Sequence, residues 1–476
     1  MRINMEKKNT WETYSSKQLK ELEKINAQYR DFLDNGKTER ECIDTIVNTI
    51  EKSGYRELES LIKEGTALNT GDKVYSVWMN KSIAMFQIGR KPMTEGMNIL
   101  GAHIDSPRLD VKQNPLYEDG GFAYLDTHYY GGVKKYQWVT IPLAIHGVIV
   151  KKDGTCVEIN IGENEDDPVF FVSDLLIHLA QEQLEKKAAK VIEGEALDII
   201  VGNKPLLIDK KDKKKDEKEA GKEAVKAGVL DILKETYDIH EEDFVSAELE
   251  IVPAGKAREA GFDRSMILAY GQDDRVCAYT SMQAMLDSDV TDRTMCCILV
   301  DKEEIGSVGA TGMQSHFFEN AVAEVMNLTG EYSELHVRRC LAHSCMLSSD
   351  VSSAFDPTYA SSFDKKNVAY LGGGMVINKF TGARGKSGSN DANAEYLAHL
   401  RHIFDKAEVN FQTAELGKVD LGGGGTIAYI LALYGMNVID SGVAVLNMHA
   451  PWEATSKADV YETYRGYKAF VEGASL

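Results

Sequence analysis

The chain has no Cys-x-x-Cys pair, no glycine fingerprint for a nucleotide and no excess of basic charge. It also has no apolar run of the roughly 18 residues a membrane helix needs, so no transmembrane helix is expected. Each absence closes a class of function. The seven cysteines are odd in number and scattered, which excludes a disulfide framework. Cys296 and Cys297 sit in an apolar run and read as plain hydrophobes rather than a redox centre. The opening residues, Met1 to Lys8, lack the apolar core of a signal peptide, and with the cysteine usage they point to a reducing cytoplasm. A net charge of −20 argues against wrapping nucleic acid or lying on an anionic membrane. The glycine clusters at 372–374 and 422–425 match neither a dinucleotide fingerprint nor a P-loop. They read as turns, or as backbone brought close beside a cleft.

What is present is a soluble globular composition, 43% apolar and 27% charged, over 476 residues. That length suggests two or three domains. Residues 10–63 read as helical, with Leu19, Leu22, Ile25 and Tyr29 and then Ile43, Ile46 and Ile50 near helical spacing. Strands follow at Lys73–Trp78, Ser82–Ile88 and Met97–Asp105. From Pro107 to Phe262 the pattern changes to short β-branched runs, at Tyr136–Ile141, Leu143–Val150, Thr155–Ile161 and Val245–Val252. A mostly β domain inserted into an α/β domain accounts for this order: residues 1–106 and 263–476 form the two halves of one domain, and 107–262 the insert. Within the insert, 209–223 is a mixed-sign charged stretch that reads as a solvated loop. If Ser173 caps a helix there, Leu176, Leu179, Ala180 and Leu184 form its buried stripe and His178 points the other way.

Chemistry gathers at strand ends. The apolar run Met295–Val300 delivers Asp301-Lys302-Glu303-Glu304-Ile305-Gly306 at its carboxyl end, where open α/β sheets keep their sites. Four other runs end alike, in His103-Ile104-Asp105, Asp273-Asp274, Asp350 and His449. Two imidazoles and three carboxylates suit a pair of borderline divalent ions, zinc foremost, with cobalt or manganese as alternatives. One carboxylate would bridge ions roughly 3.5–4 Å apart. The spare glutamate could take a proton from water and pass it to a leaving amine. These residue types and positions point to amide hydrolysis without identifying the amide.

Gly101-Ala102-His103-Ile104-Asp105-Ser106-Pro107, Gln272-Asp273-Asp274-Arg275, Asp301 to Ser307, Ser349-Asp350 and Met448-His449 together resemble the aspartyl aminopeptidase and vacuolar aminopeptidase I family of co-catalytic metallopeptidases. The resemblance implies an α/β/α sandwich with an inserted β domain that drives dimerisation. It implies metal ligation by His103, Asp273, Glu304, Asp350 and His449, with Asp273 bridging, Glu303 as general base and Asp105 orienting His103. The family often has Asn where this chain has Asp274. The resemblance further implies peptide substrates with a free N-terminus and dimers assembling into a tetrahedral dodecamer. In that assembly a histidine from a neighbouring insert reaches the active site, and His178 is the match. Lys379, Arg384 or Lys386 could supply a cation for an acidic side chain, or serve only as loop charges. Competing readings are a carboxypeptidase or N-acyl-amino-acid deacylase of the same clan, and an inactive metal-stabilised assembly protein.

Overall fold

The computed structural model describes residues 9–206 and 223–475. The charged stretch anticipated over 209–223 lies, but for its last residue, outside the described residues. The chain falls into two compact units: Met1–Ser106 with Ala257–Met448 and Trp452–Leu476, and Pro107–Lys256 with His449–Pro451.

The first unit is α/β. Among the described residues it holds a nine-stranded sheet in the order Arg56–Glu57, Lys73–Trp78, Ser82–Gln87, Thr294–Val300, Met97–His103, Cys345–Ser349, Asn437–Gly442, Met375–Asn378, Phe411–Thr413. The four central strands from Thr294–Val300 to Asn437–Gly442 run parallel. Strand periodicity divides the core between two faces. Ile83, Met85, Leu100, Ala102, Cys297 and Leu299 turn to one face, and Ala84, Phe86, Ile99, Cys296 and Ile298 to the other. The first face is covered by helices Ser16–Asn35, Glu39–Glu51, Gln272–Leu286 and Lys457–Gly473, through side chains such as Leu22, Ile43, Tyr279 and Phe470. The second is covered by Phe317–Leu328, Glu334–His343 and Ala428–Ala432, through Val322, Cys340 and Leu431. This is the α/β/α sandwich that the family resemblance implies.

Local signals start these helices. Ser15 and Thr38 each accept the backbone amide three residues on, while Gln18 and Glu41 return the bond to the cap. The Gly372–Gly374 turn proves to be an internal clasp. The amides of Gly372 and Gly374 donate to the buried Asp459 carboxylate at 2.8 and 2.7 Å, joining that turn to the first turn of the last helix. Gly423 lies against the backbone of Ala383, leaving no room for a Cβ. A smaller five-stranded sheet, Arg258–Ala260, Met266–Ala269, Glu453–Ser456, Ala444–Leu446, Ser352–Ser353, completes the first unit.

Among the described residues the second unit is built on a six-stranded antiparallel sheet, with Leu143–Val150 paired to Ala247–Pro253 and Cys156–Ile161. Two local expectations fail here. Tyr136–Ile141 is not a strand: Lys135–Gln137 is a 3-10 turn, Trp138 is fully buried and Thr140 has φ 59°. Its aromatic content serves burial of one ring, and a left-handed threonine cannot continue an extended ladder. Nor does a helix run from Ser173. A 3-10 turn at Ile177–Leu179 gives way to a four-residue helix at Gln181–Leu184. Leu176, Leu179 and Leu184 are exposed, and only Ala180 of the anticipated stripe is buried. Among the described residues no helix is long and apolar enough to cross a membrane.

Candidate metal centre

His103 is the last residue of its strand and is buried. Its Nδ1 lies 3.0 Å from the backbone carbonyl of Asp105. A carbonyl only accepts, so Nδ1 carries a proton, and Nε2 is the nitrogen left to ligate. That Nε2 faces Asp273 Oδ1 at 3.3 Å and Asp350 Oδ1 at 4.0 Å. Arg275 fixes the chain just beyond the strand, its Nε donating to the Ile104 carbonyl and its Nη2 to that of Lys37.

Asp273 opens the helix Gln272–Leu286 with non-helical dihedrals, and the Asp273–Asp274 peptide is cis. Its amide donates to Glu453 Oε2 at 3.0 Å, and its carbonyl accepts from Ser106 Oγ at 2.7 Å. Gly271 before it has φ 69°, and a Cβ there would collide with the Arg275 guanidinium. Glycine is required at that point for space and for conformation.

Glu303 and Glu304 share one 3-10 turn, bounded by Lys302 at φ 69° and Gly306 at φ 99°. Their backbone amides both donate to the Asp105 carboxylate, each at 3.1 Å. Asp350 follows the strand Cys345–Ser349.

The structure therefore brings His103, Asp273 and Glu304 together, and likewise His103, Glu303 and Asp350, with ligand atoms in each trio within 4.8 Å of one another. Geometry alone lets either glutamate ligate. His449 is in neither trio. It belongs to the second unit, where its Nδ1 faces the Gly132 carbonyl at 2.9 Å, so that it too presents Nε2. His178 is exposed on its turn in the same unit.

The donor chemistry fits divalent cations. Burial, and after it the Asp274 carboxylate, pushes Asp350 well above the usual carboxylate range. Burial likewise raises Asp274. Burial opposes a charge on His103, yet Asp105 and Asp273 outweigh it and hold the imidazole well above its ordinary pKa. Carboxylates crowded around one imidazole in a water-poor site are strongly stabilised by added positive charge, and a cation would displace the extra imidazole proton.

Sequence reasoning passed over Glu453, which positions Asp273, and the grip of Arg275 on the His103 strand. It also passed over Asp440, buried in the strand Asn437–Gly442 with Thr426 donating to its Oδ1 at 2.5 Å. A buried acid within an apolar strand was the available sign for Asp440.

Comparison with known proteins places this geometry among relatives. Residues 32–471 match the family described as aminopeptidase I zinc metalloprotease (M18). The chain is 63% identical over 466 residues to a probable M18 family aminopeptidase 1 of Clostridium acetobutylicum, covering 98% of each chain. The crystal structure of an M18 aminopeptidase from Thermotoga maritima superposes with a TM-score of 0.92 at 44% identity, over 99% of this chain and 100% of that one. The S. cerevisiae mApe1 dodecamer shares the fold at 20% identity and a TM-score of 0.74, over 94% of this chain and 96% of that one.

Proposed function

The chain belongs to the aminopeptidase I (M18) family of zinc metalloproteases and is a peptide hydrolase; from that premise we propose that it removes the N-terminal residue of peptides at a dinuclear metal site. His103, Asp273, Glu304 and Asp350 would hold the ions with Asp273 between them, and His449 is the ligand the family resemblance adds. The observation that carries the reading is the meeting of His103 Nε2 with Asp273 and Asp350, beside a glutamate turn pinned by Asp105.

The chemistry that zinc, cobalt or manganese supplies when bound is polarisation of the scissile carbonyl and acidification of water. The chain's own residues supply the rest. Glu303 takes the proton of the attacking water and returns it to the departing amine. Asp105 holds that glutamate by its backbone, so the carboxylate need not be reoriented during turnover. Its carbonyl also keeps the His103 proton on Nδ1, the tautomer a ligand needs.

We further assign the protein to a homo-oligomer, dimers building a dodecamer, in which His178 is offered to a neighbouring copy. Phe171, Leu176, Ile177, Leu179 and Leu184 are large, apolar and exposed on the same unit as His178, as expected of a surface that another copy covers. The S. cerevisiae mApe1 that shares this fold is a dodecamer.

The test is release of the N-terminal residue from a panel of free-amine peptides, with zinc, cobalt and manganese added separately and N-acetylated peptides as controls. Metal-dependent turnover confined to free amines supports the reading. Turnover of the acetylated peptides would favour a deacylase. None at all from folded, metal-loaded protein would favour a metal-stabilised assembly.

A further inference from the structure

The Asp105 carboxylate secures the amides of Glu303 and Glu304, but it does not reach the exit of their turn. There the backbone runs through two successive left-handed positions, Gly306 at φ 99° and Ser307 at φ 60°. The Gly306 amide turns back to the Glu303 carbonyl at 2.8 Å, and the Ser307 amide to the Lys302 carbonyl at 2.7 Å. Glycine adopts such a conformation freely. Serine does not, and a left-handed serine persists only where its surroundings hold it. Ser307 is buried.

Gln314 supplies the hold. Its side-chain amide donates to the Gly306 carbonyl at 3.0 Å, and its backbone amide to the Ser307 carbonyl at 3.1 Å. One residue thus takes both carbonyls of the left-handed pair. The chain can fold back this closely because Gly312 lies against the Ser307 carbonyl, where a Cβ would not fit. The Gln314 side-chain nitrogen gives its second proton to the Tyr429 hydroxyl at 3.2 Å. Tyr429 stands on the helix Ala428–Ala432, whose first amide donates to the Thr426 hydroxyl. Thr426 is bonded in turn to the buried Asp440. The exit of the glutamate turn is therefore tied, through Tyr429 and Thr426, to the strand Asn437–Gly442.

We infer that Gln314, braced by the Tyr429 hydroxyl, is a positioning residue for Glu303, fixing the exit of the turn as Asp105 fixes its amides. This rests on the aminopeptidase reading. Water can hydrogen-bond the same two carbonyls, but it does not fix their direction. A general base misplaced by about 1 Å loses rate, while the contacts that bind substrate are untouched. The effect therefore belongs to kcat rather than to KM.

The experiment measures kcat and KM for the free-amine peptide that the wild type turns over fastest, with the metal that supports turnover at saturation. It compares the wild type with Gln314→Leu, Tyr429→Phe, Glu303→Gln and the double variant of Gln314→Leu with Glu303→Gln. Gln314 is exposed, so its replacement leaves no cavity in the core. Gln314→Leu is expected to lower kcat by about tenfold with KM within about twofold of the wild type. Tyr429→Phe keeps the ring and removes only the brace; a fall in kcat of about threefold is expected, and this variant carries the test if Gln314→Leu does not fold. In the Glu303→Gln background, Gln314→Leu is expected to lower kcat by less than about twofold, because the group it positions is gone. A wild-type kcat in either single variant, a loss carried by KM, or a full tenfold loss in the Glu303→Gln background would each overturn the inference. Absence of turnover in the wild type would overturn the aminopeptidase reading and this inference with it.

Discussion

Asp105 Oδ2 accepts the backbone amide of Glu304 at 3.1 Å, while the other oxygen of the same carboxylate accepts that of Glu303 at the same distance. Asp105 also meets His103 Nδ1, through its carbonyl at 3.0 Å and Oδ1 at 3.2 Å. One buried side chain thus fixes an imidazole and the turn bearing two glutamates. In Asp105→Asn, the amide group would face one of the two N–H donors and leave it unpaired. Activity is expected to fall by about 10–100-fold, the usual loss when a residue supporting metal ligands is changed. Measurement of kcat beside metal stoichiometry checks this; a wild-type kcat would mean other contacts hold the turn.

Glu303→Gln keeps the shape of the side chain and the backbone clasp but cannot take a proton. The expected outcome is unchanged metal content and a rate lower by about 10²–10⁴-fold, the contribution of a positioned general base. Retained turnover would remove Glu303 from that role.

Burial pushes the Asp440 carboxyl up to about 7. In the unfolded chain it titrates near 3.9, so between these values the folded state holds the extra proton. Its contribution to stability is full below the unfolded pKa and is lost as pH rises through about 7, at roughly 1.4 kcal/mol per unit of separation. Asp440→Asn is neutral throughout and keeps an acceptor for Thr426. It is expected to be more stable than the wild type at pH 8, by a margin that shrinks toward pH 4. Unfolding midpoints at pH 4, 6 and 8 read that trend; a constant difference would put the carboxyl in its ordinary range.

His178 is exposed, so His178→Phe is expected to change stability by no more than about 0.5 kcal/mol. If the histidine serves a neighbouring copy's site, kcat/KM should fall by about tenfold or more with metal content intact. Unchanged kinetics would leave His178 as a surface residue.

The apolar runs that end in His103, Glu303 and Asp350 were legible because a buried parallel strand needs little beyond continuous apolar residues and a polar exit. The helices Ser16–Asn35 and Glu39–Glu51 were equally plain, from the spacing of Leu22, Ile25 and Tyr29 and of Ile43, Ile46 and Ile50. The leucines around His178 misled for a physical reason: apolar residues at helical spacing form a stripe only if one helix runs through them, and here a 3-10 turn at Ile177–Leu179 breaks it and leaves Leu176, Leu179 and Leu184 exposed. Tyr136–Ile141 misled because aromatic enrichment marks burial of side chains as well as pairing of backbone. The clasp of Asp105 on the glutamate turn could not be read at all. It joins backbone amides to a carboxylate 198 residues away, and amides leave no trace in a residue pattern.

The central strand Met97–His103 lies between Thr294–Val300 and Cys345–Ser349, so its nearer neighbour in the sheet is encoded roughly 190 residues downstream. At about 5–20 residues per second of synthesis, that strand waits roughly 10–40 s on the ribosome for its first flanking partner. The six-stranded sheet of the second unit is complete by Pro253, well inside that interval. A nascent chain stopped after Val290 is therefore expected to resist pulse proteolysis over 107–206 and 223–256 and to be cut readily near 97–103. Translation order thus lets the intervening unit complete its sheet before the strand that carries His103 gains a neighbour on either side.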